Sequence, residues 1–149
     1  MNEDHAKQIC KWKYDGDYSI YNYPEWDIIV REKWAITIEQ KRQNEFIALV
    51  NEFNDLCGFI RLINNSDCVF VGLGLKPSLC GHGLGINMMD LLKNECNKRF
   101  GDKKISLEVR PFNERALKCY KKAGFKVVDI YDKDTPIGHD IFILMEFSY

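Results

Sequence analysis

Three alternating glycines are the residues whose type and spacing point most clearly to chemistry in this chain. Gly81, Gly83 and Gly85 stand with His82 and Leu84 between an apolar, strand-like run and a segment with helical periodicity. A glycine loop that opens a helix leaves the first-turn backbone N–H groups uncovered at the positive end of the helix dipole. We therefore predict that this loop binds a phosphate or pyrophosphate group, and hence a phosphate-bearing cofactor.

The sequence excludes two common phosphate-binding motifs at this loop. The dinucleotide-binding fingerprint would need a third glycine where Ile86 stands, and no acidic residue follows at the usual distance on a second strand. A P-loop needs a Gly-Lys pair followed by Ser or Thr, and the chain has none. A plainer alternative stays open, in which the glycines are only turn residues between a strand and a helix.

Turn residues and apolar spacing predict the elements that flank the loop. Three strands joined by short polar turns, and therefore antiparallel neighbours, are predicted at residues 46–50, 56–63 and 68–75. Pro77 then interrupts the apolar run. After the loop, apolar residues recur every three or four positions as far as Phe100, which predicts an amphipathic helix ending at Gly101.

The downstream chain predicts a strand and a capped helix. Residues 104–110 alternate strictly between apolar and polar side chains, which indicates a strand whose polar face carries Glu108. Asn113 is the predicted N-cap of a helix that runs to Ala123. Gly124 is the predicted C′ residue of that helix.

The upstream chain is rich in aromatic residues and short helical signals. Helices are predicted at residues 4–13 and from Pro24 to about Glu32, and residues 37–44 form a turn or a short helix. The aromatic residues between and beside them are Trp12, Tyr14, Tyr18, Tyr21, Tyr23, Trp26 and Trp34. They either receive a cationic amine through cation–π contacts or fill the sheet edge and core.

The predicted order of elements gives the fold class. Two last strands, at residues 125–131 and 140–147, pair around a polar turn. The order α, α, β, β, β, α, β, α, β, β predicts one domain of class α/β (α+β) over residues 1–149. It has a mixed central sheet flanked by about four helices.

The composition is that of a folded globular protein. Hydrophobic residues make up 46% of the chain and the formal net charge is −1, which argues against a nucleic-acid binder with a basic face. No apolar stretch could span a bilayer and the first residues do not resemble a signal peptide, so we predict a cytoplasmic protein without a membrane partner. Six cysteines without a CxxC pair predict reduced thiols and no metal site.

A second motif identifies the family that this chain resembles. The stretch LEVRPFNERALKCYKKAGF (107–125) fits the pattern Asn-x-x-Ala-x-x-x-Tyr-x-x-x-Gly-Phe at Asn113, Ala116, Tyr120, Gly124 and Phe125. Together with the glycine loop, it resembles the GNAT superfamily of acetyl-CoA-dependent N-acetyltransferases. This block is most similar to the ribosomal-protein N-terminal acetyltransferases. The resemblance covers residues 45–147 well and the first 44 residues weakly.

The chain departs from the family pattern at two places. The family's pyrophosphate loop begins with Arg or Gln, where this chain has Cys80. Because the loop holds phosphate mainly through backbone N–H groups, we still expect the coenzyme to bind. The family also has a strand before its first helix, and this sequence predicts none. The resemblance implies a mostly antiparallel sheet with one splayed parallel pair, here residues 68–75 and 104–110.

The resemblance implies how acetyl-CoA is held. The coenzyme lies between the two parallel strands, where backbone groups of residues 73–75 pair with the pantetheine amides like an added strand. The glycine loop takes the pyrophosphate, and Asn113 holds the pantetheine arm, a role compatible with helix capping. The cofactor-binding residues so implied are Leu73, Gly74, Leu75, Gly81, His82, Gly83, Leu84, Gly85, Ile86, Asn113 and Tyr120.

The resemblance also assigns two catalytic residues. Tyr120 matches the family tyrosine that acts as general acid toward the departing thiolate, and its alternative role is packing beside Ala116 and Leu117. Glu108, twelve residues earlier, matches the base of the ribosomal-protein acetyltransferases. Alternatively, Glu108 is a solvated carboxylate or the partner of Arg110, and a chain of water molecules acts as the base.

Three other reactive side chains are weaker candidates. Cys119 adjoins Tyr120, but adjacent helix positions point in different directions, so an acetyl-cysteine route is not expected. His82 lies within the glycine loop and His139 in the last turn, and neither has an evident partner in the sequence.

The resemblance implies an N-acetyltransferase that moves the acetyl group of acetyl-CoA to a primary amine, on a small molecule or a peptide, by direct attack in a ternary complex. The expected state is a monomer or homodimer without metal. The alternative function is a non-catalytic sensor or regulatory module that binds acyl-CoA. A third alternative is an enzyme that uses a coenzyme A thioester with an acyl chain longer than acetyl.

Overall fold

The computed structural model describes residues 1–149 as helices around a single sheet. The α-helices are α1 (Glu3–Cys10), α2 (Trp26–Arg31), α3 (Glu39–Glu45), α4 (Leu84–Phe100) and α5 (Glu114–Lys122). The strands are β1 (Phe46–Val50), β2 (Leu56–Asn64), β3 (Cys68–Leu75), β4 (Lys104–Val109), β5 (Lys126–Thr135) and β6 (Gly138–Phe147). Short 3-10 helices span Gly16–Tyr21, Ala35–Thr37 and Pro77–Leu79.

The sheet is mixed and has six strands in the order β1-β2-β3-β4-β6-β5. β1 pairs with β2, β4 with β6, and β5 with β6, each in antiparallel fashion, whereas β3 and β4 are parallel. Parallel neighbours need a crossover connection, and α4 supplies it. The predicted α/β class, with a mostly antiparallel sheet and one parallel pair, is confirmed.

The parallel pairing between β3 and β4 is short. Its register runs from Cys68 opposite Lys104 to Val71 opposite Leu107. β3 itself continues to Leu75, so the residues from Gly72 onward extend past the parallel ladder.

The residues group into two compact units. The first contains Met1–Arg61 and Leu73–Cys80, and the second contains Leu62–Gly72 and Gly81–Tyr149. The core of the first unit is a cluster of buried side chains from the N-terminal helices and the first two strands: Ala6, Ile9, Cys10, Trp12, Ile29, Ile36, Phe46 and Leu56. The largest fully buried side chains of the second unit come from α4, β3, β4 and β6, with Leu62 of β2: Leu62, Val69, Met89, Leu92, Cys96, Ile105, Leu107 and Met145.

Several element boundaries differ from the sequence prediction. α2 begins at Trp26 after an N-cap at Glu25, so Pro24 precedes the helix instead of occupying its first position. The polar residues before β1 form the α-helix α3, which begins at Glu39. The last hairpin is longer than predicted because main-chain pairing continues through polar residues as far as Thr135 opposite Gly138.

The third glycine of the loop lies in close contact with a second helix. Gly85 lies in the first turn of α4, and a Cβ atom added there would stand 2.9 Å from Cys119 Sγ on α5. Sulfur and carbon do not approach so closely without a shift of one of them. The glycine therefore lets the start of α4 pack against α5, the helix that carries Tyr120.

This contact predicts the sign of a stability change. Alanine in place of glycine ordinarily favours a helix by about 0.5–1 kcal/mol. We expect Gly85→Ala to lower the free energy of unfolding instead, by about 1–3 kcal/mol, because it overpacks the contact with Cys119. Urea unfolding measures this difference.

The matched control is the same substitution in a Cys119→Ala background. There the sulfur is absent, so Gly85→Ala should be neutral or stabilising. A Gly85→Ala protein that is as stable as the unsubstituted chain would show that the contact does not require glycine.

Candidate active site

The glycine loop has the backbone that its first two glycines permit. Gly81 and Gly83 have φ angles of +81° and +79°, in the left-handed region that favours glycine. Gly83 is the N-cap of α4 and provides no side-chain cap, and the first turn of the helix holds no acidic residue. The N–H groups of that turn therefore have no side-chain acceptor from the cap, which fits an anion-binding role.

The remaining loop residues differ in their exposure. His82 and Leu84 are exposed, whereas Gly85 and Ile86 are half-buried. All of them belong to the second unit.

The end of β3 packs closely against β2 within the first unit. A Cβ atom added at Gly74 would lie 2.7 Å from Cε1 of Phe59, and one added at Gly58 would lie 2.9 Å from the carbonyl oxygen of Gly74. Both glycines thus permit close approach of the two strands. Gly74 is needed for this internal packing whatever else approaches its backbone.

A tyrosine that the sequence did not single out contacts the end of β3. The Tyr14 hydroxyl donates a hydrogen bond of 2.6 Å to the carbonyl oxygen of Leu75. Tyr14 is fixed in turn by Asn22, whose side chain exchanges hydrogen bonds with its backbone. The thiol of Cys80, at the head of the loop, lies 3.8 Å from the same Leu75 carbonyl. The available signal for Tyr14 was only its place in the aromatic-rich segment.

Asn113 caps α5 as predicted. Its Oδ1 accepts a hydrogen bond of 3.1 Å from the backbone N–H of Ala116. At the other end of the helix, Gly124 has a φ angle of +95°, the left-handed C′ conformation predicted for it. The cap orients the helix that carries Tyr120, and the proposed role of Asn113 toward a coenzyme stays a prediction.

Tyr120 is half-buried on α5. Its ring centroid lies 6.3 Å from that of Phe125, so the family tyrosine also takes part in packing. The neighbouring Cys119 lies against Gly85, and burial raises the pKa of its thiol. A raised pKa disfavours the thiolate that nucleophilic catalysis needs, which agrees with the view that Cys119 is not a nucleophile.

Glu108 lies on the polar face of β4 and is largely shielded from solvent. Its side chain is 14% exposed, and each carboxylate oxygen has a partner: the Tyr131 hydroxyl donates to Oε1, and the Lys133 ammonium contacts Oε2. Arg110 is not the partner of Glu108, because its Nε lies 2.5 Å from Asp140 Oδ2. The sequence alternative in which Arg110 pairs with Glu108 is therefore wrong: Glu108 does form an ion pair, but with Lys133.

The two partners of Glu108 come from β5, and Tyr131 keeps its proton near neutral pH. Burial, followed by the hydrogen bond and charge of Glu108, raises the pKa of Tyr131 to about 12, so its hydroxyl remains a donor. The Lys133 ammonium also lies 4.6 Å from the ring centroid of Phe142 on β6. The sequence offered one usable signal for these partners, namely the period-two alternation that puts Tyr131 and Lys133 on one face of β5.

The two histidines considered above have different surroundings. His82 is exposed on the glycine loop. His139 lies in the last hairpin, with Nε2 2.6 Å from Asp132 and Nδ1 2.9 Å from Asp134, and hydrogen bonds to these two carboxylates raise the pKa of its imidazole.

The aromatic-rich segment divides into two groups within the first unit. Trp12 is buried in the core cluster, with Tyr23, Trp26 and Trp34 packed against it. Burial raises the pKa of Tyr23 to about 12. A second group contains Tyr14, Tyr18 and Tyr21. The Tyr21 ring meets the Tyr14 ring edge-on at a centroid distance of 6.5 Å and lies tilted against the Tyr18 ring at 6.4 Å. The core role applies to the first group, and the second group adjoins the end of β3 through Tyr14.

The predicted site residues fall in both units. Leu73, Gly74 and Leu75 belong to the first unit. The glycine loop, Glu108, Asn113 and Tyr120 belong to the second, where the start of α4 meets the helix of Tyr120. No group of three or more His, Cys, Asp or Glu side chains is arranged to hold a metal ion. None of the helices has the length and apolar character needed to cross a bilayer.

Comparison with known proteins identifies the family and the fold of this chain. The Acetyltransferase (GNAT) family model matches residues 6–125. Among solved structures, the chain is similar to a chimera of the spermidine N-acetyltransferase SpeG from Vibrio cholerae and hSSAT, with a TM-score of 0.75 and 15% identity over 99% of this chain and 92% of that one. No curated protein matches the chain in sequence.

A second structure has a different acceptor in its name. The ribosomal-protein-S18-alanine N-acetyltransferase from Escherichia coli superposes with a TM-score of 0.67 and 18% identity over 98% of this chain and 86% of that one. A GNAT-family acetyltransferase from Streptococcus pneumoniae superposes with a TM-score of 0.61 and 13% identity over 73% of this chain and 71% of that one. At such identities the similarity shows the fold, and the family match spans most of the chain. This chain belongs to the GNAT acetyltransferase family.

Proposed function

We propose that this chain transfers the acetyl group of acetyl-CoA to a primary amine by direct attack in a ternary complex. The observation that carries the proposal is the glycine loop, in a chain that belongs to an acetyltransferase family. Gly83 caps α4 in a left-handed conformation and offers the first-turn N–H groups no side-chain acceptor of its own. That arrangement suits the pyrophosphate of a coenzyme.

The backbone at the end of β3 supports the second part of the proposed binding mode. The parallel ladder with β4 ends at Val71, and the strand continues to Leu75. Backbone groups of Leu73, Gly74 and Leu75 would then pair with the pantetheine amides as an added strand would. The Leu75 carbonyl already accepts the Tyr14 hydroxyl, so we assign Tyr14 to holding this segment in place.

The acceptor amine has to lose a proton before it attacks. An amine with an ordinary pKa of about 10.4 is neutral in roughly one molecule per 2,500 at pH 7, which costs about 4.6 kcal/mol. A base beside the amine lowers this cost. Glu108 is our candidate because it is a shielded carboxylate with Tyr131 and Lys133 fixing both of its oxygens.

The reaction that follows balances with the residues named here. Acetyl-CoA supplies an activated thioester when it is bound. The amine nitrogen bonds to the acetyl carbonyl carbon, the carbon–sulfur bond breaks, and the sulfur leaves with the electron pair. Glu108 takes the first proton of the ammonium before the attack and later releases it to solvent. Tyr120 gives its hydroxyl proton to the departing sulfur and regains one as the new amide nitrogen loses its second proton.

A non-catalytic acyl-CoA sensor is the competing function. Two observations favour it: Cys80 stands at the head of the loop, and Lys133 already neutralises Glu108. A sensor would bind acetyl-CoA and release no CoA with any amine. The transferase proposal requires both binding and turnover.

The role of the loop predicts a specific loss of coenzyme binding. A side chain at Gly83 would be strained at a φ angle of +79° and would reshape the first turn of α4. We expect Gly83→Val to abolish acetyl-CoA binding in calorimetry while the protein stays folded by circular dichroism.

The control for this strain is Gly101→Val. Gly101 ends the same helix with a φ angle of +70°, far along α4 from the loop. The Gly101→Val protein should be less stable but should bind acetyl-CoA with unchanged affinity. Equal affinity in the Gly83→Val protein would remove the loop from the proposed site.

The role of Tyr120 predicts a loss of turnover without a loss of binding. Tyr120→Phe removes the proposed proton donor and keeps the ring that packs near Phe125. We expect kcat to fall by about 10²-fold, with acetyl-CoA affinity unchanged. Steady-state kinetics with calorimetry measures both quantities.

Tyr149→Phe serves as the matched control for Tyr120→Phe, because it removes a hydroxyl that bonds to the Lys93 carbonyl in the same unit. Its kcat should equal that of the unsubstituted chain. If Tyr120→Phe turned over at the same rate, the general-acid assignment would be wrong.

A further inference from the structure

The carboxylate of Glu108 is the centre of a small cation site on the face of β4, β6 and β5. The sheet register places Glu108 opposite Leu144, and Tyr131 opposite Phe142. Lys133 Nζ contacts Glu108 Oε2 and lies 4.6 Å from the centroid of the Phe142 ring. A carboxylate and an aromatic face therefore hold one alkylammonium group, and the Tyr131 hydroxyl bonds to the other oxygen of the same carboxylate.

These are the groups that recognise a primary ammonium ligand. A carboxylate pairs with the charge and accepts N–H donors, and an aromatic face attracts the cation through its quadrupole. Lys133 carries the same chemical group as the acceptor that the proposed reaction requires. Its side chain is 39% exposed, whereas Glu108 is 14% exposed, so Lys133 stands on the solvent side of the carboxylate.

Two neighbouring carboxylates are already paired with cations, and a third, Asp129, lies near enough for its charge to raise the pKa of Tyr131. Arg110 lies 4.8 Å from the same Phe142 ring and is paired with Asp140, and its guanidinium lowers the pKa of that carboxyl group. Further along the face, Glu146 pairs with Lys104 and accepts from Ser106. An amine that reaches Glu108 therefore meets Lys133 and the positive charge of Arg110.

We propose that Lys133 is an internal occupant of the acceptor-ammonium subsite, which an incoming primary amine must displace from Glu108. This inference rests on the proposed function. Displacement leaves the Lys133 ammonium without its carboxylate, and an anionic group beside the acceptor amine can replace that partner. A polycationic acceptor adds repulsion instead. Lys133 thus determines specificity, favouring amines that carry a nearby carboxylate over polyamines.

The test compares two acceptors in three variants. The acceptors are spermidine and a dipeptide with aspartate after its free amine, and the readout is CoA release resolved into kcat and KM. Lys133→Met removes the charge and keeps the length of the side chain. We expect it to lower the KM for spermidine roughly tenfold and to weaken the preference for the acidic dipeptide.

Two controls separate this effect from a general loss of positive charge. Lys133→Arg keeps a cation at the site and should retain the selectivity of the unsubstituted chain. Lys126→Met removes an exposed cation from the same strand and should leave both KM values unchanged. An unchanged or raised KM for spermidine in the Lys133→Met protein would overturn the inference.

A measurement without turnover distinguishes a failure of this inference from a failure of the proposed function. In protein labelled with ¹³C-lysine, ethylammonium chloride should move the Lys133 ε-methylene resonance toward that of an exposed lysine, and sodium chloride of equal ionic strength should not. Identical responses to the two salts would contradict displacement. If no acceptor releases CoA, the proposed function fails, and this titration still decides whether Glu108 exchanges its ammonium partner.

Discussion

The short parallel pairing between β3 and β4 is the constraint on which the rest of the structure depends. Two parallel neighbours cannot be joined by a tight turn, so the chain has to leave the carboxyl end of β3, cross over as α4 and return to β4. The loop that begins this crossover is therefore located beyond the carboxyl end of a central strand, where α/β sheets bind ligands. The glycines at 81 and 83 give that loop a left-handed backbone, and we propose its N–H groups as the anion site.

A second constraint is the polar face of β4, where charged side chains are partly withdrawn from water. Such groups are tolerated when they are paired, and the β5–β6 hairpin supplies the partners. Tyr131 and Lys133 bind Glu108, Asp140 binds Arg110, and the remaining carboxylate of Glu146 serves the start of the strand. The hairpin is thus the source of the electrostatic environment of the proposed base.

Local signals in the sequence predict most of the elements that hold the site. An uninterrupted apolar run predicts β3, and Gly101 predicts where α4 ends. The N-cap Asn113 predicts the start of α5. Each of these signals acts between residues close in the chain. The partners of Glu108 could not be predicted, because they depend on how β5 aligns with β6 and β6 with β4. The packing of Gly85 could not be predicted for the same reason, because the atom that crowds this position is a sulfur on another helix.

The most direct test of the central claim is amine-dependent release of CoA from acetyl-CoA by the purified chain. The panel should contain polyamines, amino sugars, free amino acids and peptides with free N-termini, and acetyl-CoA binding should be measured on the same sample. The account predicts saturable CoA release with at least one primary amine, well above the rate without an acceptor. Tight acetyl-CoA binding with no release for any amine would contradict it and would identify the chain as a coenzyme-binding module.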